Sequence, residues 1–325
     1  MRTQKIYSAI VATVCLVNLP LAVAQPRDYP TRPVRIIVPT SPGGILDVVT
    51  RLMAPKVSEL MGQSLVVDNR PGASTNIGSE QVARAAGDGY TLLANSQPLV
   101  VNPRLFSKMA FDVEKDLAPV TLLTAAPYVL VVHPSVPVKS VKELLSLARA
   151  KPNALNYASG GNGTNFHIAM ELFKNLSGVK LTHVPYKGGG VAMTSVLAGE
   201  TEITIPSVAA ALPQIKAGRL RALAISSARR SALLPQTPTV AEAGVPDYEF
   251  SAWVGVLAPG TTPAALVTAI NGYWVKAARA SEVASRLIND GNEVVAGTPA
   301  EFAALIKAEL PRWNKVIRDS GIKPE

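Results

Sequence analysis

From Val34 to near the end of the chain, short β-branched runs alternate with stretches whose apolar residues recur every three or four positions. The first run, Val34 to Val38, predicts a strand. Beyond Pro42-Gly43-Gly44, residues Ile45, Val48, Val49, Leu52, Met53, Val57, Leu60 and Met61 recur at helical spacing, which predicts a helix with one buried face. Pro55 is expected to kink that helix or shift its boundary, and Gly62 to end it. A strand at Leu65 to Val67 follows, then a turn through Arg70-Pro71-Gly72, a helix around Ile77 to Ala86 and a strand at Thr91 to Ala94. Strand-helix repeats of this length pair in parallel through helical crossovers.

The middle of the chain repeats the plan. Strands are expected at Val120 to Leu123 and, past Pro127, at Tyr128 to Val132. Ser140 with Glu143 three residues on is a capping box that starts a helix. A strand at Leu155 to Tyr157, a glycine turn, a helix from Thr164 to Leu176 and a strand at Leu181 to Val184 come next. Gly188-Gly189-Gly190 opens a further helix that Gly199 closes. Beyond Arg221, the strand Ala222 to Ile225 and the segment Ala252 to Leu257 flank a proline-rich connection. The tail is helical, with Thr262-Pro263 and Thr298-Pro299 as starts and Glu301 completing a second capping box. Phe302, Leu305, Ile306, Leu310, Trp313 and Ile317 are assigned to its inner face, and Trp274 and Trp313 to the core. The pattern predicts an α/β protein of two lobes joined by at least two chain crossings, with a ligand cleft between them. One lobe is assigned residues 27–126 and 227–325, the other residues 127–226.

At 325 residues, nearly half of them apolar, the chain is long enough for two cores. Its start has a separate pattern. Arg2 and Lys5 precede the mostly apolar Ile6 to Val23, and Ala22-Val23-Ala24 has small residues at the two positions read by signal peptidase. A secretory signal peptide, residues 1–24, cut after Ala24, is the expectation, and with it a periplasmic location. Ser8, Thr13, Asn18 and Pro20 interrupt the stretch and no basic cluster follows, which argues against a permanent anchor. Cys15 is the one cysteine and falls inside this segment, so the cleaved chain has no disulfide or thiolate metal site. The residue before Cys15 is Val14, where a lipoprotein carries a small one.

The formal charge of +9 loses two units with Arg2 and Lys5. The remaining basic residues are scattered, with Arg229-Arg230 the only adjacent pair and no aromatic-studded basic run. Nucleic acid is therefore not an expected partner. A diffuse positive field suits small anions.

Two glycine-rich strand-to-helix turns are the main chemical feature: Pro39-Thr40-Ser41-Pro42-Gly43-Gly44 and Ser159-Gly160-Gly161-Asn162-Gly163-Thr164. Either is a simple tight turn, or the two are matched helix N-termini whose free amides take a carboxylate across the cleft. Asp47, in the first turn after Gly43-Gly44, serves the helix dipole or contacts ligand or water. There is no Gly-Lys-Ser/Thr phosphate loop, and the second turn lacks dinucleotide spacing. His133, His167 and His183 lack local metal-ligand spacing and are assigned structural roles. No Gly-x-Ser-x-Gly elbow is present. No cofactor or metal is expected, and an enzyme on a two-lobed scaffold is the disfavoured alternative to a binding protein.

Tyr29-Pro30-Thr31-Arg32-Pro33, Pro42-Gly43-Gly44 with Asp47, Asn69-Arg70-Pro71-Gly72-Ala73 and Asp88-Gly89-Tyr90-Thr91-Leu92-Leu93 form an ordered series of motifs. Tyr157-Ala158-Ser159 with Gly163-Thr164 and His167, then His183-Val184-Pro185-Tyr186-Lys187-Gly188, continue it. Leu212-Pro213 with Lys216-Ala217-Gly218, Pro238-Thr239-Val240-Ala241-Glu242-Ala243-Gly244, and Ala258-Pro259 with Thr262-Pro263 complete it. In this order, over essentially the whole mature chain, the sequence resembles the Bug-type receptors, the substrate-binding components of tripartite tricarboxylate transporters. The resemblance implies a type II periplasmic binding-protein-like fold that captures a small organic carboxylate without catalysis. It implies monomeric action with the membrane subunits of such a transporter, or alternatively with a membrane sensor. By position it points to Thr40, Ser41, Gly43, Gly44 and Asp47 on one side and to Ser159, Gly163 and Thr164 on the other. Ser96 and Ser207 complete the candidate set. The sequence departs from the family at Thr40-Ser41, where an aromatic is usual, at Ile45-Leu46, usually small or polar, and at Pro206. These changes alter the cleft wall and leave the two loop backbones unchanged.

Overall fold

The computed structural model describes residues 29 to 43 and 45 to 319. The expected signal peptide and Gly44 lie outside the described residues. Within them the chain forms β1 (Val34–Val38), α1 (Ile45–Met61), β2 (Leu65–Asn69), a 3-10 turn (Ala73–Thr75), α2 (Asn76–Ala83), β3 (Thr91–Asn95), α3 (Pro98–Leu105) and β4 (Leu117–Pro127). It continues with β5 (Val129–Val132), α4 (Val141–Ala150), β6 (Asn156–Ser159), α5 (Asn165–Ser177), β7 (Thr182–Pro185), α6 (Gly189–Leu197), β8 (Ile203–Thr204), α7 (Val208–Lys216) and β9 (Arg221–Ile225). The last elements are β10 (Ser251–Pro259), α8 (Ala264–Arg279), α9 (Ser281–Asn289), β11 (Glu293–Val294) and α10 (Pro299–Asp319). None of the described helices is long and apolar enough to cross a membrane.

Two sheets result. The first has the order β11-β4-β10-β3-β1-β2 and the second β7-β6-β8-β5-β9. β1 pairs in parallel with β2 and β3, and β6 in parallel with β7 and β8; the other pairings are antiparallel. The side-chain period of two divides each strand between two cores. Val34, Ile36 and Val38 pack with Val49, Met53, Val57 and Trp274 on one face of the first sheet, while Ile37 joins Phe302, Ile306 and Trp313 on the other. In the second sheet Leu130 and Val132 enter the core that holds Ile168 and Phe173, and Val129 and Val131 the one that holds Val196 and Ala211. Each lobe is thus a sheet covered by helices on both faces.

Local signals explain most element ends. Gly62, with φ +66, stops α1, and Gly199, with φ +76, follows α6. Glu301 N donates to Thr298 Oγ1 at 3.2 Å, and Thr298 N donates to Glu301 Oε2 at 2.7 Å, the full reciprocal box. At α4 the Glu143 amide donates to Ser140 Oγ, but the Glu143 carboxylate accepts from Lys139 N, one residue earlier than expected. Pro55 stays inside a single α1 and does not divide it.

The expected buried face of α1 needs correction. Leu46, Val49, Met53, Val57 and Met61 are buried, whereas Ile45 and Val48 are 38% and 44% exposed. The chain leaves the first sheet after Pro127, enters the second at Val129, and returns between Ile225 and Ser251. Between β9 and β10 the chain bonds to elements of the second sheet's lobe. Ile225 N donates to Pro238 O and Val240 N to Ile225 O, both at 2.8 Å, and Tyr248 Oη donates to Ala169 O on α5 at 3.1 Å.

Candidate functional site

The candidate residues lie beyond the carboxyl ends of the parallel strands, where open α/β sheets place ligands. β1 leads to Thr40 and Ser41, β3 to Ser96, β6 to Ser159 and β8 to Ser207. Ser41, Pro42 and Gly43 are exposed, and Gly43 takes φ +87, which a side-chain-bearing residue rarely adopts.

Asp47 shapes the first loop. Its carboxylate is buried, with Oδ2 accepting from Gly43 N at 2.9 Å and Oδ1 from Arg51 Nε at 2.8 Å and Asn69 Nδ2 at 3.0 Å. Asn69 Nδ2 also donates to Thr40 O at 3.0 Å, so one amide ties both ends of the loop to β2. Burial pushes the Asp47 pKa up, but the bonds from Gly43, Asn69 and Arg51 outweigh it and hold the group below the usual carboxylate range. Thr40 Oγ1 is enclosed and has no partner among the described residues.

The second loop is held by its own network. Ser159 Oγ pairs with His183 Nε2 at 2.6 Å and accepts from Gly161 N at 3.1 Å. Thr164 Oγ1 donates to Gly161 O at 2.8 Å, and Gly163 N donates to His167 Nδ1 at 3.1 Å. Thus the two hydroxyls and the Gly163 amide, expected to face a ligand, are engaged within the turn. Gly163 is buried against the first lobe: a Cβ there would stand 2.9 Å from Leu105 Cδ1 and 3.8 Å from Ser74 Oγ.

Beneath this loop His167 and His183 stack at 4.2 Å between centroids, and His183 stacks on Tyr157 at 4.8 Å. Tyr157 Oη donates to Glu171 Oε1 at 2.5 Å, and Lys174 Nζ donates to the same oxygen at 2.6 Å. Burial pushes both imidazoles down to about 4, so both rings are neutral at pH 7. Spacing along the chain gives no hint of the pair, because α5 and β7 bring the rings together from 16 positions apart.

Gly43, Gly189, Gly190 and Ser207 share a cleft of about 580 Å³. The N-terminal ends of α1, α6 and α7 therefore converge on one space. Ser207 caps α7, its Oγ accepting from Ala210 N at 3.4 Å. Apolar walls come from Ile45 and Val48 on one side and Phe166, Met193, Pro206 and Ala210 on the other. Across from Gly43, then, stand the turns before α6 and α7, with α5 contributing Phe166. A second hollow, of about 800 Å³, lies across α9 beside Trp253 and Glu309. None of the described candidate residues lines it, so the smaller cleft is the candidate site.

Residues 49–322 match the family described as tripartite tricarboxylate transporter family receptor. This chain belongs to that family. BugT of Bordetella pertussis is 36% identical over 297 residues, covering 91% of this chain and 91% of BugT. Rpa4515 of R. palustris, solved with adipate, is 38% identical with a TM-score of 0.80, covering 92% of this chain and 100% of that one. MatC from Rhodopseudomonas palustris, solved with malate, is 31% identical with a TM-score of 0.77, covering 89% and 100%.

Two parts of the receptor's cleft region escaped the sequence reading. One is the Gly189-Gly190 start of α6, visible in sequence as a turn but not as a partner of Gly43. The other is the turn after β2, where Ala73, Ser74 and Thr75 take φ of 44, 49 and 80. Three consecutive non-glycine residues in the left-handed region are strained, and such strain persists only when neighbours enforce it. Asn102 does so from α3, its Nδ2 donating to Ser74 O at 2.5 Å and to Asn76 Oδ1 at 2.8 Å. Ser96 is buried, and its amide donates to Asn95 Oδ1 at 2.8 Å.

Proposed function

We propose that this receptor captures a small organic carboxylate outside the cytoplasmic membrane. It passes the solute, chemically unchanged, to the membrane subunits of a tripartite tricarboxylate transporter. Convergence of three helix N-termini on one cleft carries this reading: the first turn of a helix leaves amides without intrahelical partners and carries the positive end of a dipole, although Asp47 already takes the Gly43 amide and Ser207 that of Ala210. The carboxylate meets Ser41, Gly43, Gly190 and Ser207, while Asp47, Ser159, Gly163 and Thr164 keep the surrounding loops in shape. Thr40, whose enclosed Oγ1 has no partner among the described residues, and Ser96, at the end of β3, complete the set of residues assigned to the site.

In the same reading residues 1–24 are a signal peptide removed after Ala24, and the mature protein works as a monomer in the periplasm. One lobe comprises residues 27–126 and the chain after Phe250; the other comprises residues 127–250. A thermal-shift panel of mono-, di- and tricarboxylates on the mature protein tests the function. A true ligand at a hundred times its Kd adds about 2.7 kcal/mol of stability, and its methyl ester or amide does not. Equal binding of acid and ester removes the anion-site reading, and turnover of the acid moves the protein to the enzymes.

A further inference from the structure

Ile45, which the family resemblance puts at the cleft wall, is joined there by Val48. They have the spacing of core positions, yet the core is closed by Leu46, Val49, Met53 and Val57, and the two side chains stand exposed in the first turn beside Gly43. The wall opposite them is also apolar: Phe166, Met193, Pro206 and Ala210. That wall is braced. Phe166 packs edge-on against Tyr128 at 5.7 Å, and a Cβ on Gly189 would stand 2.8 Å from its ring. The polar side chains of the lining are Ser207, which caps α7, Asn292, whose Oδ1 has no partner among the described residues, and Arg286 and Asp290, which pair with each other at 3.2 Å; none of them belongs to the Ile45–Val48 or Phe166–Met193 walls.

We infer that the solute carries its carboxylate on a hydrocarbon body without hydroxyl groups. This deepens the carboxylate reading above and rests on it. Amides at the helix ends take the anion. The body then lies between Ile45 and Val48 on one side and Phe166 and Met193 on the other. Covering exposed apolar surface from water favours a hydrocarbon body. A hydroxyl placed there gives up its hydrogen bonds to water and finds no partner on these side chains, which disfavours a hydroxylated one.

Matched pairs of acids test this by calorimetry on the mature protein: adipate against galactarate, and cyclohexanecarboxylate against quinate. Each pair keeps the carboxylates and the carbon skeleton and differs in hydroxyls on the body. The unhydroxylated acid of at least one pair is expected to bind tighter by a factor on the order of ten or more. Val48→Thr preserves side-chain shape and adds a hydroxyl; it and Ile45→Thr are expected to narrow that ratio several-fold while circular dichroism stays native. Equal or tighter binding of galactarate or quinate overturns the inference and leaves the carboxylate reading intact. A ratio unchanged in both variants removes the α1 wall as its origin and overturns it as well. Absence of binding by all four acids overturns the inference together with the reading beneath it.

Discussion

The amide of Gly163 donates to Nδ1 of His167 at 3.1 Å, so a turn of the candidate site is held by an imidazole that must be unprotonated at that nitrogen. Its neighbour His183 meets Ser159 of the same turn at 2.6 Å. Protonating His167 would set N–H against N–H beneath the loop.

Acid is therefore expected to destabilise the protein before it reaches the usual carboxylate range. Both histidines titrate near 4 in the folded protein and near 6.5 when unfolded. Between those values the unfolded chain binds more protons, so stability is complete above about pH 6.5 and falls as pH drops towards 4. Each group contributes at most about 1.4 kcal/mol per pH unit. The groups facing the pair are Glu171, Lys174 and Tyr157. Glu171 is held below the usual range, since the bonds from Lys174 and Tyr157 outweigh the effect of burial, and adds a loss of the same sign at still lower pH. Glu309 on α10, raised by burial, acts with the opposite sign. His167→Asn keeps an acceptor near Nδ1 and cannot titrate, so urea denaturation at pH 7 and pH 5 should show a smaller acid loss in the variant. Equal losses would remove His167 from the account.

The same geometry shows where the sequence was and was not legible. Short apolar runs bounded by turn residues mark buried strands whatever their pairing, so β1, β3 and the antiparallel edge strand β9 are legible to within a residue or so. The central proline of Leu212-Pro213 hid α7, and α9 has only Val283 and Leu287 buried, too few to make a pattern. Helical spacing cannot distinguish a core stripe from a cleft wall beside it: spacing alone assigns Ile45 and Val48 to the core, the family resemblance assigns Ile45-Leu46 to the cleft wall, and the structure puts Ile45 and Val48 on that wall and Leu46 in the core. Positive φ at Ala73 to Thr75 follows from tertiary bonds through Asn102, and residue type carries no trace of that. The glycine turns were visible, but their partners were not, because contacts such as Gly163 with Leu105 arise only when the two lobes meet.

Removing the Asp47 carboxylate should loosen the first loop more than it unfolds the protein. Asp47→Ala leaves Gly43 N, Arg51 Nε and a proton of Asn69 Nδ2 without their acceptor. The cost is expected to be about 1–3 kcal/mol in chemical denaturation. Solute affinity should fall with it, because the amide end of α1 loses its tether. Asn69→Ala, which also frees Thr40 O, should weaken binding similarly with Asp47 intact. Unaltered affinity in both would show that this latch does not shape the site.

Gly163→Val combines two costs, a strained backbone at φ +75 and a clash with Leu105 Cδ1. A loss of at least 1–3 kcal/mol is expected, the range for one strained residue. Adding Leu105→Ala should recover only the steric part, and a double-mutant cycle separates the two. Thr164→Ala removes one bond to Gly161 O and should cost about 0.5–1.5 kcal/mol. A fully additive cycle would mean that the two lobes do not meet at Gly163.

Where the chain passes between the sheets, Ser226 joins both crossings. Its Oγ accepts from Tyr128 N at 2.7 Å and donates to Phe250 O at 2.6 Å, and the residue is fully buried. Backbone bonds from Ser226 N to Tyr128 O and from Phe250 N to Ser226 O, both 2.8 Å, close the same cluster. Ser226→Ala keeps the backbone pair but leaves the Tyr128 amide buried without an acceptor, which costs about 1–3 kcal/mol. The backbone pair should preserve the fold, so the denaturation midpoint is expected to drop while the slope with urea stays constant. A changed slope would mean that the crossing itself had come apart in the native state. A midpoint equal to wild type would mean that this hydroxyl does not hold the two crossings together.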